Sequence, residues 1–150
     1  MLDTLAVMAY LLGSGPEKSK ALHMAVSFPE KAAVVSPVIR WKNVPPEAES
    51  LAVVIQDNQK NYYWVAYNLP ADAKGLPLGA NQNMLPFDEG VNSFGEHNYH
   101  SPWSLGAMPQ GLRVELYALD KRFSIHKPLS GNDLYAKIKG HTLLKTKVVL

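Results

Sequence analysis

Apolar positions along the chain fall into short runs of strand length. SLAVVIQ (50–56) and YYWVAYN (62–68) are continuous and rich in β-branched or aromatic residues, the pattern of buried central strands. LRVELYALD (112–120) alternates instead, with Leu112, Val114 and Leu116 against Arg113, Glu115 and Tyr117, and predicts a half-buried strand. ALHMAVSF (21–28) alternates loosely and LLKTKVVL (143–150) closes the chain; both predict strands. AVVSPVIRW (33–41) is interrupted by Pro37, so it predicts an edge strand or two extended pieces around a turn. The segment 57–61 between the two continuous runs is short enough for a hairpin.

One helix is predicted near the C-terminus. Ser130 followed three residues later by Asp133 is an N-cap arrangement, and Leu134, Ile138 and a stop at Gly140 fit two to three turns. Residues 69–111 hold no long periodic segment but carry five prolines and six glycines. Loops of that size are functional or disordered, and Phe87, Phe94, Tyr99 and Trp103 argue for order. The sum is a mainly antiparallel β fold with one or two peripheral helices.

The apolar start stands apart. Leu5 to Leu12 is an unbroken apolar run followed by Gly13-Ser14-Gly15. It reads as a short helix capped by Asp3 and stopped by Gly13, or as a leader with small residues at its cleavage site. Against a leader, Asp3 is acidic and no Lys or Arg precedes Lys18. The run is too short to span a bilayer, so stable membrane insertion is not expected. Residues 1–21 thus form an apolar helix or leader plus a polar link, and residues 22–150 form the domain proper. A helix at 2–12 would have to pack on that domain or on a second copy in a homodimer. The cytoplasm is the favoured compartment, and a leader would point to the periplasm.

Composition narrows the function classes. The 150 residues suffice for one domain with a real core, and 47% hydrophobic with 19% charged residues is globular. The formal net charge is +2 and no Lys/Arg run suggests a nucleic-acid arm. The absence of cysteine removes disulfides, Cys-based zinc sites and thiol nucleophiles.

Catalytic patterns are sparse. There is no G-x-S-x-G, and Ser93 with His97 shares only a loop. His97 and His100 form H-x-x-H near Glu96, Glu89 and Asp88, but that spacing aligns two imidazoles only on a helix, and the region reads as loop. No enzyme activity, resident metal or cofactor is expected. Lys145 and Lys147 would share one face of the last strand, as a solvated surface or a patch for an acidic partner or anionic lipid. Asp57, at the end of a buried-type strand, is an Asx-turn residue or a pocket residue.

The order of several motifs bears on that choice. SPVIRWKNVPPEAESLAVVIQD, then YWVAYNLPA, FG, SP, YALD and AKIKGHTLL, resembles the phosphatidylethanolamine-binding protein family, in its bacterial Raf-kinase-inhibitor-like branch, over residues 22–150. The resemblance implies a β-sandwich-like fold with a small pocket at one end for phosphate-type head groups. It also implies non-enzymatic roles, some through kinases or other protein partners. The Asp of the family's D-P-x-A-P motif corresponds to Asp57, but Asn58 stands in place of its first Pro and the following loop is short. Tyr63 replaces the histidine of H-W-V-V-x-N. Of G-P-C-P-P only Pro102 is kept, and Gln110 falls where G-x-H-R-Y has its histidine. The implied ligand residues are therefore Asp57, Tyr63, Pro102 and Gln110. His100, two positions before Pro102, is the one imidazole placed to compensate. Tyr63 and Gln110 offer only neutral hydrogen bonds, so the pocket has diverged from an anion site. The ligand is a small anionic or polar molecule; the alternative is a protein partner with the pocket vestigial.

Overall fold

The computed structural model describes residues 21–30, 34–82, 86–104, 106–124 and 127–150. The expected helix or leader in residues 2–15 lies outside them. Eight strands follow in chain order: β1 (His23–Ser27), β2 (Val38–Lys42), β3 (Ser50–Gln56), β4 (Tyr62–Pro70), β5 (Gly75–Leu76), β6 (Asp88–Glu89), β7 (Arg113–Leu119) and β8 (Thr142–Val149). A 3-10 turn at Ala80–Gln82 and a helix α1 (Gly131–Ile138) complete the set among the described residues.

The strands form two antiparallel sheets, one ordered β1-β2-β5 and the other β6-β4-β3-β7-β8. The main core lies between them. Ile39, Trp41 and Leu76 of the small sheet meet Leu51, Val53, Ile55, Trp64, Ala66, Val114 and Leu116 of the large one. A second cluster covers the other face of the large sheet, where Ala52, Val54, Val65 and Tyr67 pack with Leu134 and Ile138 of α1. Apolar cover on both faces is why β3 and β4 are continuous apolar runs: all seven residues of β3 are buried. In β7, Val114, Leu116 and Ala118 are buried, while Arg113, Glu115 and Tyr117 are only partly so. The expected alternation is present there.

Pro37 ends an extended approach rather than interrupting a strand, and pairing begins at Val38. β2 is the middle strand of its sheet, paired with both β1 and β5. The expectation of an edge strand is corrected, because the proline lies outside the paired residues and leaves every β2 N–H free to bond. At α1, the Ser130 hydroxyl accepts the Asp133 N–H at 3.1 Å, as the spacing predicted. Among the described residues of 69–111, order comes from loops pinned by side chains. The buried Asn92 accepts the N–H groups of Phe94 and Glu96 and donates to the Asn98 carbonyl.

Candidate functional site

Asp57 follows β3 and opens the turn into β4. Its side chain is 3% exposed. Oδ1 accepts the backbone N–H groups of Gln59 (2.8 Å) and Asn61 (3.1 Å), and the first of these is an Asx turn. Oδ2 accepts the Asn61 amide at 3.1 Å and the Tyr63 hydroxyl at 2.7 Å. A carboxylate has about four lone-pair positions, and four donors occupy them. Burial pushes the Asp57 carboxyl up, but the hydrogen bonds, led by that of Tyr63, outweigh it and hold it below its usual value. Burial together with the bond and charge of Asp57 pushes the Tyr63 phenol well above its usual value.

Tyr63 reaches Asp57 because of a bulge. Pairing between β3 and β4 steps from Ile55–Trp64 to Gln56–Tyr62, so Tyr63 is the extra residue on β4. Its side chain therefore sits on the same side of the sheet as that of Trp64, in the core between the sheets, instead of alternating to the helix side. Its freed carbonyl accepts the His100 N–H at 2.9 Å. One irregular residue thus ties Asp57 to the 92–104 loop.

The rings continue the connection. Tyr63 packs on Phe94 at a centroid distance of 5.8 Å, and Phe94 stacks on the His100 imidazole at 3.7 Å and 13°. His100 Nδ1 lies 3.0 Å from Glu96 Oε1 and Nε2 lies 3.0 Å from Ser104 Oγ. The Asn92 amide and His100 together hold the Glu96 carboxyl below its usual value. The outer end of the site is an aromatic step in which Phe94 is 45% exposed.

The sequence-predicted residues divide accordingly. Asp57, Tyr63 and His100 form one connected group. His100 does not turn toward Asp57: its ring lies on Phe94 and is held by Glu96 and Ser104. Gln110 joins through its main chain, its carbonyl accepting the Asn58 N–H at 3.1 Å, while its side chain is exposed. Pro102 is buried, and no hydrogen bond or ring contact among the described residues joins it to Asp57 or Tyr63. Asn58 in place of proline has a structural use, since proline has no N–H to give Gln110. Opposite it, Gly111 has φ +69°, and a Cβ there would stand 2.1 Å from the Asn58 side chain. The sequence marks Phe94 only as one of the aromatics that order the loop, and as part of the Phe94-Gly95 pair in the motif order, and Glu96 only as a neighbour of the H-x-x-H pair; neither is placed beside Tyr63 or His100 by the sequence.

No group of three or more metal-ligating side chains forms among the described residues. None of their helices is long and apolar enough to cross a membrane.

Comparison with known proteins agrees with this architecture. The family profile described as phosphatidylethanolamine-binding protein matches residues 16–150. A UPF0098 protein of Methanothermobacter thermautotrophicus is 30% identical over 125 residues, covering 77% of this chain and 80% of that one. The UPF0098 protein YbhB of Escherichia coli is 27% identical over 128 residues, covering 76% and 78%. The crystal structure of a phosphatidylethanolamine-binding protein homologue from Chlamydia trachomatis superposes with a TM-score of 0.72 at 21% identity, covering 87% of this chain and 96% of that one.

Proposed function

We propose a non-enzymatic binding role for this chain, which belongs to the phosphatidylethanolamine-binding protein family, with a pocket that no longer selects phosphate. The observation that carries this reading is the saturated Asp57 carboxylate, whose fourth donor is Tyr63. An anion approaching that pair meets a carboxylate already ionised and a phenol oxygen whose proton is committed inward. Both repel it. His100 offers no free cation, because Glu96 Oε1 sits 3.0 Å from its Nδ1. What stays available is the outer step of Phe94, His100 and Ser104. It suits a small polar ligand held by ring stacking and neutral hydrogen bonds, with Asp57, Tyr63, Pro102 and Gln110 as supporting wall.

Calorimetric titration with phosphoethanolamine at about pH 8 and about pH 6, the window in which imidazole charges, tests the loss of phosphate selection. Weak heats at both values are expected. Tight binding that strengthens at the lower pH would overturn the reading. A neutral fragment screen followed by amide chemical shifts locates the ligand, with shifts expected at Phe94, His100 and Ser104 and lost in Phe94→Ala.

The exposure of Phe94 also favours a second reading, in which this step meets a protein partner, a kinase among them, and the pocket is vestigial. A fragment screen that leaves the step silent while Phe94→Ala abolishes partner capture would select it.

A further inference from the structure

The free edge of the large sheet carries a second candidate surface. Among the described residues, β1 and β5 bound the small sheet, and β6 and β8 bound the large one. β5 and β6 are two residues long and β1 is five, whereas β8 runs for eight. β7 pairs with β8 along one side, and no ladder covers the other. β1 comes near β8 without pairing with it. Alternate residues of such an edge, about four of these eight, point both N–H and C=O away from the sheet. That row is a template for one more strand.

The side chains of β8 define the strand that fits. Residues directly opposite in an antiparallel pair share a face. Leu144, Thr146 and Val148 stand opposite Ala118, Leu116 and Val114, so they lie on the core side, where Leu144 is still 36% exposed. Lys145 and Lys147 stand opposite Tyr117 and Glu115 on the α1 side, and both are exposed. Glu115 does not answer Lys147, because it accepts from Arg113 Nε and from the Tyr117 and Tyr135 hydroxyls. Among the described residues neither lysine takes part in an ion pair. The lysines also discriminate between occupants. Antiparallel pairing of β8 with a second copy sets Lys145 against Lys145 when centred on Lys145, and Lys145 against Lys147 when centred on Thr146. Like charges directly opposite are destabilising, so the edge disfavours its own copy and favours carboxylates.

We propose that β8 receives an extended acidic segment of a partner protein as a further antiparallel strand of the large sheet. The backbone of that segment pairs with the outward N–H and C=O groups. Its carboxylates stand opposite Lys145 and Lys147, and its intervening apolar side chains extend the core past Leu144 and Val148. The segment is thus an alternation of acidic and apolar residues. An anionic lipid surface would meet the two lysines but leave the backbone row unused. The edge is separate from Asp57 and from the Phe94 step, and does not depend on the reading of either.

The probe is an end-capped peptide alternating Glu and Val, matched to the eight residues of β8 and titrated into the isotope-labelled full chain at neutral pH. Amide shifts and hydrogen exchange follow it. Saturable binding that weakens with salt is expected, with exchange slowed at the β8 amides that face away from β7. A peptide alternating Lys and Val should not bind. In Lys145→Gln/Lys147→Gln, whose side chains are exposed, binding should weaken about fivefold or more while the melting temperature stays near that of the parent. It should be unchanged in Lys74→Gln, which removes a cation outside the large sheet. Absence of binding, equal binding of the two peptides, or shifts confined to other strands overturns the proposal. So does a dimer of the free chain whose dissociation exposes the same β8 amides, which makes a second copy the occupant. Capture by phosphatidylserine vesicles without binding of the peptide assigns the lysines to a lipid surface and overturns it as well.

Discussion

Tyr63 donates its hydroxyl proton to Asp57 Oδ2 across 2.7 Å, and the bond is buried at both ends, with Tyr63 5% and Asp57 3% exposed. Removing the hydroxyl leaves a buried carboxylate oxygen with one donor fewer while the ring keeps its contact with Phe94. Tyr63→Phe should therefore lower stability by about 1–3 kcal/mol, the range for a hydrogen bond to a charged buried group. Urea unfolding at neutral pH measures it. A change within error would mean that water replaces the phenol and the site is open.

Acid sensitivity follows from two carboxylates. Glu115 accepts from Arg113 Nε at 2.9 Å, from the Tyr117 hydroxyl at 3.0 Å, and from the Tyr135 hydroxyl. Burial pushes the Glu115 carboxyl up, but these bonds outweigh it and hold it below its ordinary value, as at Asp57. A folded-state pKa below the unfolded one contributes stability that is fully present above the unfolded value, near 4 for these groups. It is lost as pH falls through the folded values. Stability measured from pH 7 downward should hold to about pH 5 and then decline. The decline should be shallower in Asp57→Asn and in Glu115→Gln, each starting from a lower plateau. Equal slopes in all three proteins would place the acid transition elsewhere.

Most of the architecture was legible because burial writes itself into hydrophobic pattern. Ser50 to Gln56 reads as a central strand because apolar groups cover both of its faces, and Arg113 to Leu119 alternates because one face meets polar groups. Ser130 and Asp133 mark the helix start through a bond between near neighbours. The site was only half legible. Period-two alternation places Tyr63 and Trp64 on opposite faces, and only the bulge brings them to the same side. The bulge arises from pairing between two strands, which no local pattern records. Asp57 stood out as a strand-end carboxylate, but two of the four donors that saturate it are backbone groups of Gln59 and Asn61, which any residue but proline supplies. Phe94 carried no signal of its own role, because its partner His100 is brought beside it by an N–H bonded to the displaced Tyr63 carbonyl.

The turn 57–61 meets the 110–111 turn at Asn58, whose N–H donates to the Gln110 carbonyl and whose side chain lies against Gly111. Gly111→Ala adds a Cβ that meets the Asn58 side chain, at a positive φ that alanine adopts poorly. It should destabilise by about 1 kcal/mol or more. Asn58→Ala shortens the obstructing side chain and keeps the N–H to Gln110, so the double variant should recover part of the loss. A double-mutant cycle with a coupling of about 0.5 kcal/mol or more confirms the contact. Strict additivity would show that strain at Gly111 is purely conformational.

The helix cap offers a cleaner local measurement. Ser130→Ala removes the acceptor of the Asp133 N–H, with a cost of about 1 kcal/mol. Because Leu134 and Ile138 fasten α1 over the large sheet, the loss should appear as lower global stability rather than as fraying of α1 alone. Hydrogen exchange distinguishes the two, and protection lost only within α1 would mean that the helix opens independently of the sheet.

The proposed divergence of the pocket can be run backwards. Tyr63→His places an imidazole beside Asp57, and Gln110→His adds a second on the turn whose carbonyl already bonds Asn58. Two imidazoles charge between about pH 8 and about pH 6. One cation is offset by Asp57, leaving the other uncompensated for an anion. The double variant should therefore acquire phosphoethanolamine binding that strengthens as pH falls through that window, while the parent chain stays weak throughout. Tyr63→His alone should gain little, because its charge is cancelled by the carboxylate it faces. If the double variant also fails to bind, the Gln110 side chain, exposed in the structure, does not reach the space in front of Asp57. The pocket would then have been closed by the shortened turn rather than by the loss of its imidazoles, and lengthening 57–61 would be the step that reopens it.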